Sequence, residues 1–119
     1  MTEIEWSRLK ANELAKLDAR NAIVIVPIGS TEQHGPHLPT QVASRLVTEI
    51  AHRAARLMTE RHPTVVTPTI PFGMSEHHMS LNGTITLDYA TMSGVLGCAC
   101  RSILRDKRPF NMRAKPKHQ

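Results

Sequence analysis

Two polar segments of the sequence carry side chains that could bind a metal ion. The first, Gly29 to Pro39, holds one carboxylate and two imidazoles within six residues, at Glu32, His34 and His37. Oxygen and nitrogen donors of this kind suit Zn²⁺, Mn²⁺ or Fe²⁺. In an extended stretch, Glu32 and His34 project to the same side, so both can face one pocket. A catalytic metal normally takes at least three ligands from the protein, so a surface loop with merely polar histidines is the competing interpretation.

The second polar segment, Gly73 to Gly83, offers the same donor types at Glu76, His77 and His78. Its competing interpretation is a pair of solvated or capping histidines. We expect Glu76, His77 or His78 to approach Glu32 and His34 across one cleft, within about 10 Å, the reach of a shared metal and substrate site.

The residues before the first segment predict the element that positions it. Ala22 to Ile28 is continuously apolar and mostly β-branched, which is typical of a strand buried on both faces of a parallel sheet. We therefore predict a central strand with Glu32 and His34 just beyond its carboxyl end, where ligands gather in such sheets.

Helical and strand patterns alternate along the rest of the chain. We predict helices over residues 8–17 with Ser7 as cap, over 41–60, and over 89–105 with Asp88 as cap, and strands over 64–67 and 84–87. This alternation predicts an α/β fold, a layered architecture with a mostly parallel sheet. In the second helix the predicted buried positions are the apolar ones at spacings of three or four: Val42, Leu46, Ile50, Ala54 and Leu57.

Composition and charge narrow the class of protein. The chain of 119 residues has room for one domain, and 40% apolar with 21% charged residues excludes a disordered or membrane-spanning chain. Residues 101–119 have a net charge of +6 and residues 1–100 a net charge of −1, so the overall charge of +5 comes from the C-terminal end. We expect residues 106–119 to form a basic, disordered tail. No nucleic-acid-binding motif accompanies it, which favours a solvated tail over a nucleic-acid partner.

The N-terminal residues, the length of the apolar runs and the two cysteines indicate the cellular compartment of the protein. The first five residues lack the basic and apolar regions of a signal peptide, and no apolar run approaches the length of a membrane helix. Cys98 and Cys100 lie two apart in a predicted helix and so point to different faces, which disfavours a disulfide between them. We expect a cytoplasmic protein without membrane contact.

Three stretches together resemble the creatininase (creatinine amidohydrolase) family: Ile28 to Pro39 (IGSTEQHGPHLP), Pro71 to His78 (PFGMSEHH) and Asn82 to Leu87 (NGTITL). The resemblance covers about residues 4–105, roughly the N-terminal half of a family member, which makes residues 1–105 a creatininase-like domain. It implies a creatininase-like fold that is incomplete in this chain, a homo-oligomer, commonly a hexamer, and a metal-dependent hydrolase that uses two divalent ions to cleave cyclic or linear amide C–N bonds of a small substrate.

Carried over by position, the resemblance makes Glu32 a ligand of one metal and His34 a ligand of the other. The Asp that bridges the two ions in the family corresponds to Ala43 here, and the family's remaining ligands follow later than this chain extends. Leu81-Asn82 also replaces the usual Phe-Pro of the second segment. In the family reaction the ions activate a shared water, and Glu76, His77 or His78 are the candidate catalytic residues that carry the proton to the leaving nitrogen.

These departures lead to two expectations about function. The first is a creatininase-family amidohydrolase that is truncated and weakly active or inactive as this chain, with binding of zinc, manganese or iron in doubt. The second is a catalytically silent family remnant, or a binding module that acts through its basic C-terminal tail.

Overall fold

A computed structural model describes residues 2–104 of the chain. Its helices are α1 (Ala11–Ala19), α2 (Val42–Met58) and α3 (Tyr89–Ile103), its strands are β1 (Ile23–Ile25) and β2 (Thr64–Val66), and short 3₁₀ turns span Trp6–Arg8 and Glu76–His78. One compact unit ends at Asp88 and a second begins at Tyr89 with α3. The predicted basic tail, 106–119, lies outside the described residues.

β1 and β2 form a parallel pair in which Ile23, Val24 and Ile25 lie opposite Thr64, Val65 and Val66. A single parallel bridge between Ile28 and Ile70 extends the pairing toward the carboxyl ends. The predicted α/β class, the parallel pairing and the strand at 64–67 are thereby confirmed.

The prediction that residues 22–28 form the central strand is wrong for the described sheet. β2 takes the inner position, because Glu5 bridges Val66 on the side away from β1, and the Val66 N–H donates to the Ile4 carbonyl at 2.7 Å. All three residues of β2 are buried, whereas Ile23 of β1 is 39% exposed. An apolar run shows that a strand can be buried, but it does not show which strand of a pair has neighbours on both edges.

α2 packs against β2 through its smallest side chains. Ala51 and Ala55 are buried with Ile4 and Val66, and Ile25 packs against this cluster. The apolar positions predicted to be buried are largely outside it: Leu46 is 59%, Ile50 65% and Leu57 77% exposed. The length of the helix is predicted correctly to within two residues at its C-terminal end, but the face it buries is not.

The orientation of α2 is set at its first turn, where Ser44 contacts the first polar segment. The Ser44 hydroxyl donates to the Ser30 carbonyl at 2.9 Å, and a Cβ placed on Gly29 would lie 2.6 Å from the Ser44 Cα. Once Ser44 faces inward, residues four, seven and eleven positions later follow on the same stripe, and these include Ala51 and Ala55. Leu46 is two residues from Ser44, about 200° around the helix, and therefore faces outward.

Two smaller predictions are also corrected. Ser7 does not cap the first helix, which begins at Ala11; the Lys10 N–H instead donates to the Glu13 carboxylate at 2.9 Å. Residues 84–87 do not form a continuous strand, because Ile85 bridges Thr31 and Thr86 bridges Gly73 on separate neighbours. The third helix begins at Tyr89, as predicted. None of the described helices is long and apolar enough to cross a membrane.

Candidate metal centre

Hydrogen bonds hold the first polar segment beside two stretches of chain that follow β2, one at Pro71 and one at residues 84–85. The Thr31 hydroxyl donates to the Pro71 carbonyl at 2.9 Å, and the Ile85 N–H donates to the Thr31 carbonyl at 2.9 Å. The Gln33 N–H donates to the Thr84 hydroxyl at 3.1 Å. Since Gln33 lies between Glu32 and His34, these bonds fix the backbone from which both side chains project.

The second polar segment is fixed in a similar way. The Leu87 N–H donates to the Gly73 carbonyl at 2.9 Å, and the Ser75 N–H donates to the Thr86 hydroxyl at 2.8 Å. A Cβ on Gly73 would lie 2.8 Å from the Gly29 carbonyl oxygen, so the missing side chain allows the two polar segments to approach. The 3₁₀ turn that follows presents His77 and His78.

The carboxylate of Glu32 lies at the centre of the resulting cluster. Its Oε1 is 3.4 Å from the Nε2 of His34, and its Oε2 is 3.4 Å from the Nε2 of His78. The two histidine rings are 6.4 Å apart, one on each side of the carboxylate. The Glu32 side chain is 15% exposed and both histidines are 29% exposed, so the cluster is sheltered and still reached by solvent.

His77 adds a fourth donor on the solvent side. Its ring centroid lies 4.1 Å from that of His78, and one donor atom from each of Glu32, His77 and His78 lies within 4.8 Å of the other two. His77 is exposed, whereas the other two are partly buried. The three side chains can therefore close on one ion with small rotations.

The surroundings of Glu32 favour its ionised form. Burial is the largest influence and on its own raises the pKa of this carboxyl. Hydrogen bonds from the hydroxyls of Ser75 and Ser30, together with the charges of His78 and His34, outweigh burial and lower its pKa below the ordinary value. An ionised carboxylate is the form that binds a divalent cation.

The expected approach of the two polar segments is confirmed, and it brings together four of the candidate side chains: Glu32, His34, His77 and His78. Glu76 and His37 are exposed, and neither belongs to the group of converging donor atoms found in the described residues. Glu76 shares the 3₁₀ turn with both histidines, whereas His37 lies beyond the left-handed Gly35 at φ 80°.

Two serines that support the site carry no signal in the sequence. Ser30 and Ser75 donate hydrogen bonds to Glu32, and Ser75 is only 2% exposed. Serine is common in loops, and only the folded arrangement shows which hydroxyls meet a carboxylate.

Ala43 is the second residue of α2, and residues on both sides of it in sequence contact the first polar segment. The Glu32 N–H donates to the Thr40 carbonyl at 3.2 Å, and Ser44, the next residue, bonds to Ser30. Thr40, just before the helix, and Ser44, in its first turn, thus contact the polar segment on either side of Ala43 in sequence. A methyl group there supplies no ligand.

The donor set fits one divalent ion. One ionised carboxylate and several imidazole nitrogens are the ligands that Zn²⁺ and Mn²⁺ accept. The Nε2 of His34 is a buried polar atom that makes no hydrogen bond in the part of the chain that the structure describes, although the Glu32 Oε1 lies 3.4 Å from it. A buried nitrogen of this kind normally has a partner, and a bound cation would provide one.

Several known proteins are similar to this chain in sequence and fold. Residues 7–108 match the sequence model of the family Creatininase, described as creatinine amidohydrolase. The mycofactocin precursor peptide peptidase of Mycobacterium tuberculosis is 34% identical over 88 residues, which cover 69% of this chain and 35% of that one. The creatinine amidohydrolase of Pseudomonas putida is 29% identical over 108 residues, or 87% of this chain and 38% of that one.

The structural likeness runs through the same region. A crystal structure of creatininase superposes with a TM-score of 0.78 at 26% identity and covers 88% of this chain and 41% of that one. Similar creatininase structures include a Zn-Zn form and a manganese form. The chain thus spans about two fifths of the length of the proteins it matches. On its sequence and its fold, with the resemblance in the polar segments confirmed, the chain belongs to the creatininase family of amidohydrolases.

Proposed function

We propose that this chain binds a divalent metal ion at Glu32 and His34 and that its site is built for metal-dependent hydrolysis of an amide C–N bond. The observation that carries the proposal is the convergence of His34 and His78 on the two oxygens of one carboxylate, each at 3.4 Å. Two weakly basic nitrogens and an ionised carboxylate in a partly buried cleft are typical of a metal centre. Their placement on two separate loops favours a site over a chance surface group.

A bound divalent ion supplies Lewis-acid chemistry there, because it activates water and polarises the carbonyl of an amide. The chain's own residues carry the rest. Ser30 and Ser75 orient the Glu32 carboxylate, and the second polar segment holds the groups that can return a proton to the leaving nitrogen, Glu76, His77 and His78. A small cyclic or linear amide is the substrate class that this arrangement suits, and assembly into a homo-oligomer is part of the same proposal.

Hydrolysis by this chain alone is proposed to be weak or absent. Ala43 leaves the first turn of α2 without a carboxylate, so Glu32 is the single acidic ligand of the described cluster. One carboxylate offsets the charge of two dications poorly, since their repulsion at close range is large. Activity that depends on a close pair of ions therefore lacks the group that would hold the pair together.

The test combines metal content with turnover on the purified full chain. The metal-free protein is loaded with Zn²⁺, Mn²⁺ or Fe²⁺ and desalted, and the bound metal is measured by mass spectrometry. Creatinine serves as the cyclic amide, and a formylated amine and a dipeptide amide serve as linear ones. Glu32→Gln is the control, because it keeps the shape of the side chain and removes its charge.

The expected result is metal retained by the unmodified chain and lost in Glu32→Gln, with turnover far below the 1–10³ s⁻¹ or so of ordinary enzymes. Failure of the unmodified chain to retain any of the three metals would overturn the metal site. Turnover in the ordinary range would overturn the weak or absent activity.

A further inference from the structure

We infer that His77 and His78 are metal ligands, and that with Glu32 and His34 they form a site for a single divalent ion. The inference rests on the proposed function, because it takes the same cleft as a metal site and assigns its full ligand set. It leaves Glu76 as the one proton carrier among the three candidates of the second polar segment.

Geometry favours a ligand role for His78. Its Nε2 lies 3.4 Å from the Glu32 Oε2, a separation close to that between two ligand atoms on one ion with bonds of about 2.0–2.2 Å. The corresponding separation between His34 and Glu32 is also 3.4 Å, on the other oxygen. The two rings lie on opposite sides of the carboxylate, with centroids 6.4 Å apart, so the His34 imidazole must rotate toward His78 for both nitrogens to bind one ion.

His77 is placed to complete the set. The donor atoms of Glu32, His77 and His78 lie within 4.8 Å of one another, and the two rings are 4.1 Å apart. The exposed imidazole of His77 can rotate toward an ion at little cost in free energy. Successive residues of a 3₁₀ turn point about 120° apart. The 4.1 Å between the two ring centroids shows that these imidazoles nevertheless lean toward each other.

The count of one ion follows from charge. The converging group contains a single carboxylate, Glu32, among the described residues, and every other donor in it is a neutral imidazole when it binds metal. Two dications about 4 Å apart, the usual spacing of paired metals, repel strongly. Four ligands also satisfy one tetrahedral ion and leave none for a second.

The test uses cobalt as a spectroscopic probe on the full chain. Unmodified protein titrated with Co²⁺ should reach saturation at one ion per chain, as measured by visible absorption and confirmed by mass spectrometry. Proton spectra of the cobalt-loaded protein count the ligand histidines directly, because each contributes one shifted, exchangeable ring N–H signal. Three such signals are expected.

Variants assign the signals to residues. His77→Ala and His78→Ala should each remove one signal and weaken Co²⁺ and Zn²⁺ binding about 100-fold or more, which exceeds the usual loss for a supporting residue. His37→Ala is the matched control, since His37 is an exposed histidine of the first polar segment, and it should change neither measurement. Circular dichroism of the metal-free variants checks folding.

The outcomes separate this inference from the proposed function. If the unmodified chain binds no metal, both fail. If it binds metal through Glu32 and His34 and His77→Ala and His78→Ala leave affinity unchanged, only the inference fails. Saturation at two ions per chain, or a single histidine signal in the unmodified protein, would likewise overturn the inference, even where a variant does not fold.

Discussion

The Cα of Ser44 lies so close to Gly29 that a Cβ on Gly29 would be 2.6 Å from it. This approach joins the loop that carries Glu32 to the first turn of α2, and the Ser44 hydroxyl closes it with a hydrogen bond to Ser30. Glycine is needed at position 29 because any side chain there would overlap with Ser44. The contact therefore couples the packing of a helix to the position of the Glu32 carboxylate.

Replacement of this glycine should destabilise the fold. Gly29→Ala forces the first turn of α2 away from the loop and should cost about 1–3 kcal/mol of unfolding free energy, the usual range for overpacking. Urea denaturation followed by circular dichroism measures it. Gly94→Ala is the control, because a Cβ there meets no atom of the described residues within 4 Å and helical propensity alone favours alanine by up to about 1 kcal/mol. Equal midpoints for the two variants would contradict the close approach.

The buried face of α2 gives a second prediction. Ala55 is fully buried against β2, so Ala55→Leu has no room for its extra atoms and should cost about 1–3 kcal/mol or more. Leu57→Ala removes a side chain that is 77% exposed and should change stability by less than about 0.5 kcal/mol. The same denaturation experiment compares them. A larger loss for Leu57→Ala would show that the helix packs through its larger apolar residues.

Hydrophobic patterning predicts the elements of this chain better than their orientation. The apolar run ending at Ile28, the helix after Gln41 and the strand at Thr64 are all found, because local periodicity and β-branching determine them. The direction in which α2 faces is decided by Ser44 and Gly29, two residues that such patterns ignore. The larger apolar residues of α2 lie on its exposed face, so a prediction that buries the most apolar face chooses the wrong side of the helix.

In the candidate site, too, local sequence predicts some features, whereas contacts between distant segments decide the others. Glu32 and His34 share one side of an extended stretch, which residue spacing predicts and the 3.4 Å separation confirms. The approach of His78 depends on contacts between distant segments, and it follows from motif resemblance rather than from periodicity. The support from Ser75 could not be predicted, since nothing local distinguishes it from an exposed loop serine such as Ser80.

Ser75 provides the third prediction. It is 2% exposed and donates a hydrogen bond to the Glu32 carboxylate, so Ser75→Ala removes a bond to a charged group worth about 1.5–3 kcal/mol. The variant should lose stability of that order and bind Zn²⁺ about 10–100-fold more weakly, because Glu32 is less well oriented. Calorimetric titration measures affinity. Ser80→Ala, an exposed change in the same segment, should match the unmodified chain; a loss as large there would mean that the segment is merely fragile.

Substitution of Ala43 tests whether a second acidic side chain would strengthen the proposed metal site. Ala43→Asp places a carboxylate in the first turn of α2, three residues after Thr40, whose carbonyl accepts the Glu32 N–H. A second negative charge there should tighten Zn²⁺ and Mn²⁺ binding by about tenfold or more, equivalent to about 1.4 kcal/mol. The change suits the helix as well, since its first turn holds no acidic residue and its N-terminus favours one.

The matched control for this change is Ala54→Asp, which adds the same charge to the same helix about 16 Å farther along. Calorimetric titration of both variants with each metal distinguishes a ligand from a general electrostatic effect, and creatinine hydrolysis is followed in parallel. We expect tighter binding in Ala43→Asp alone, without restored turnover, because a single added carboxylate does not supply the remaining ligands that a second ion requires. Equal affinity in the two variants would place position 43 outside the site. Turnover restored by this one substitution would show instead that a missing acidic ligand was all that kept the chain from catalysis.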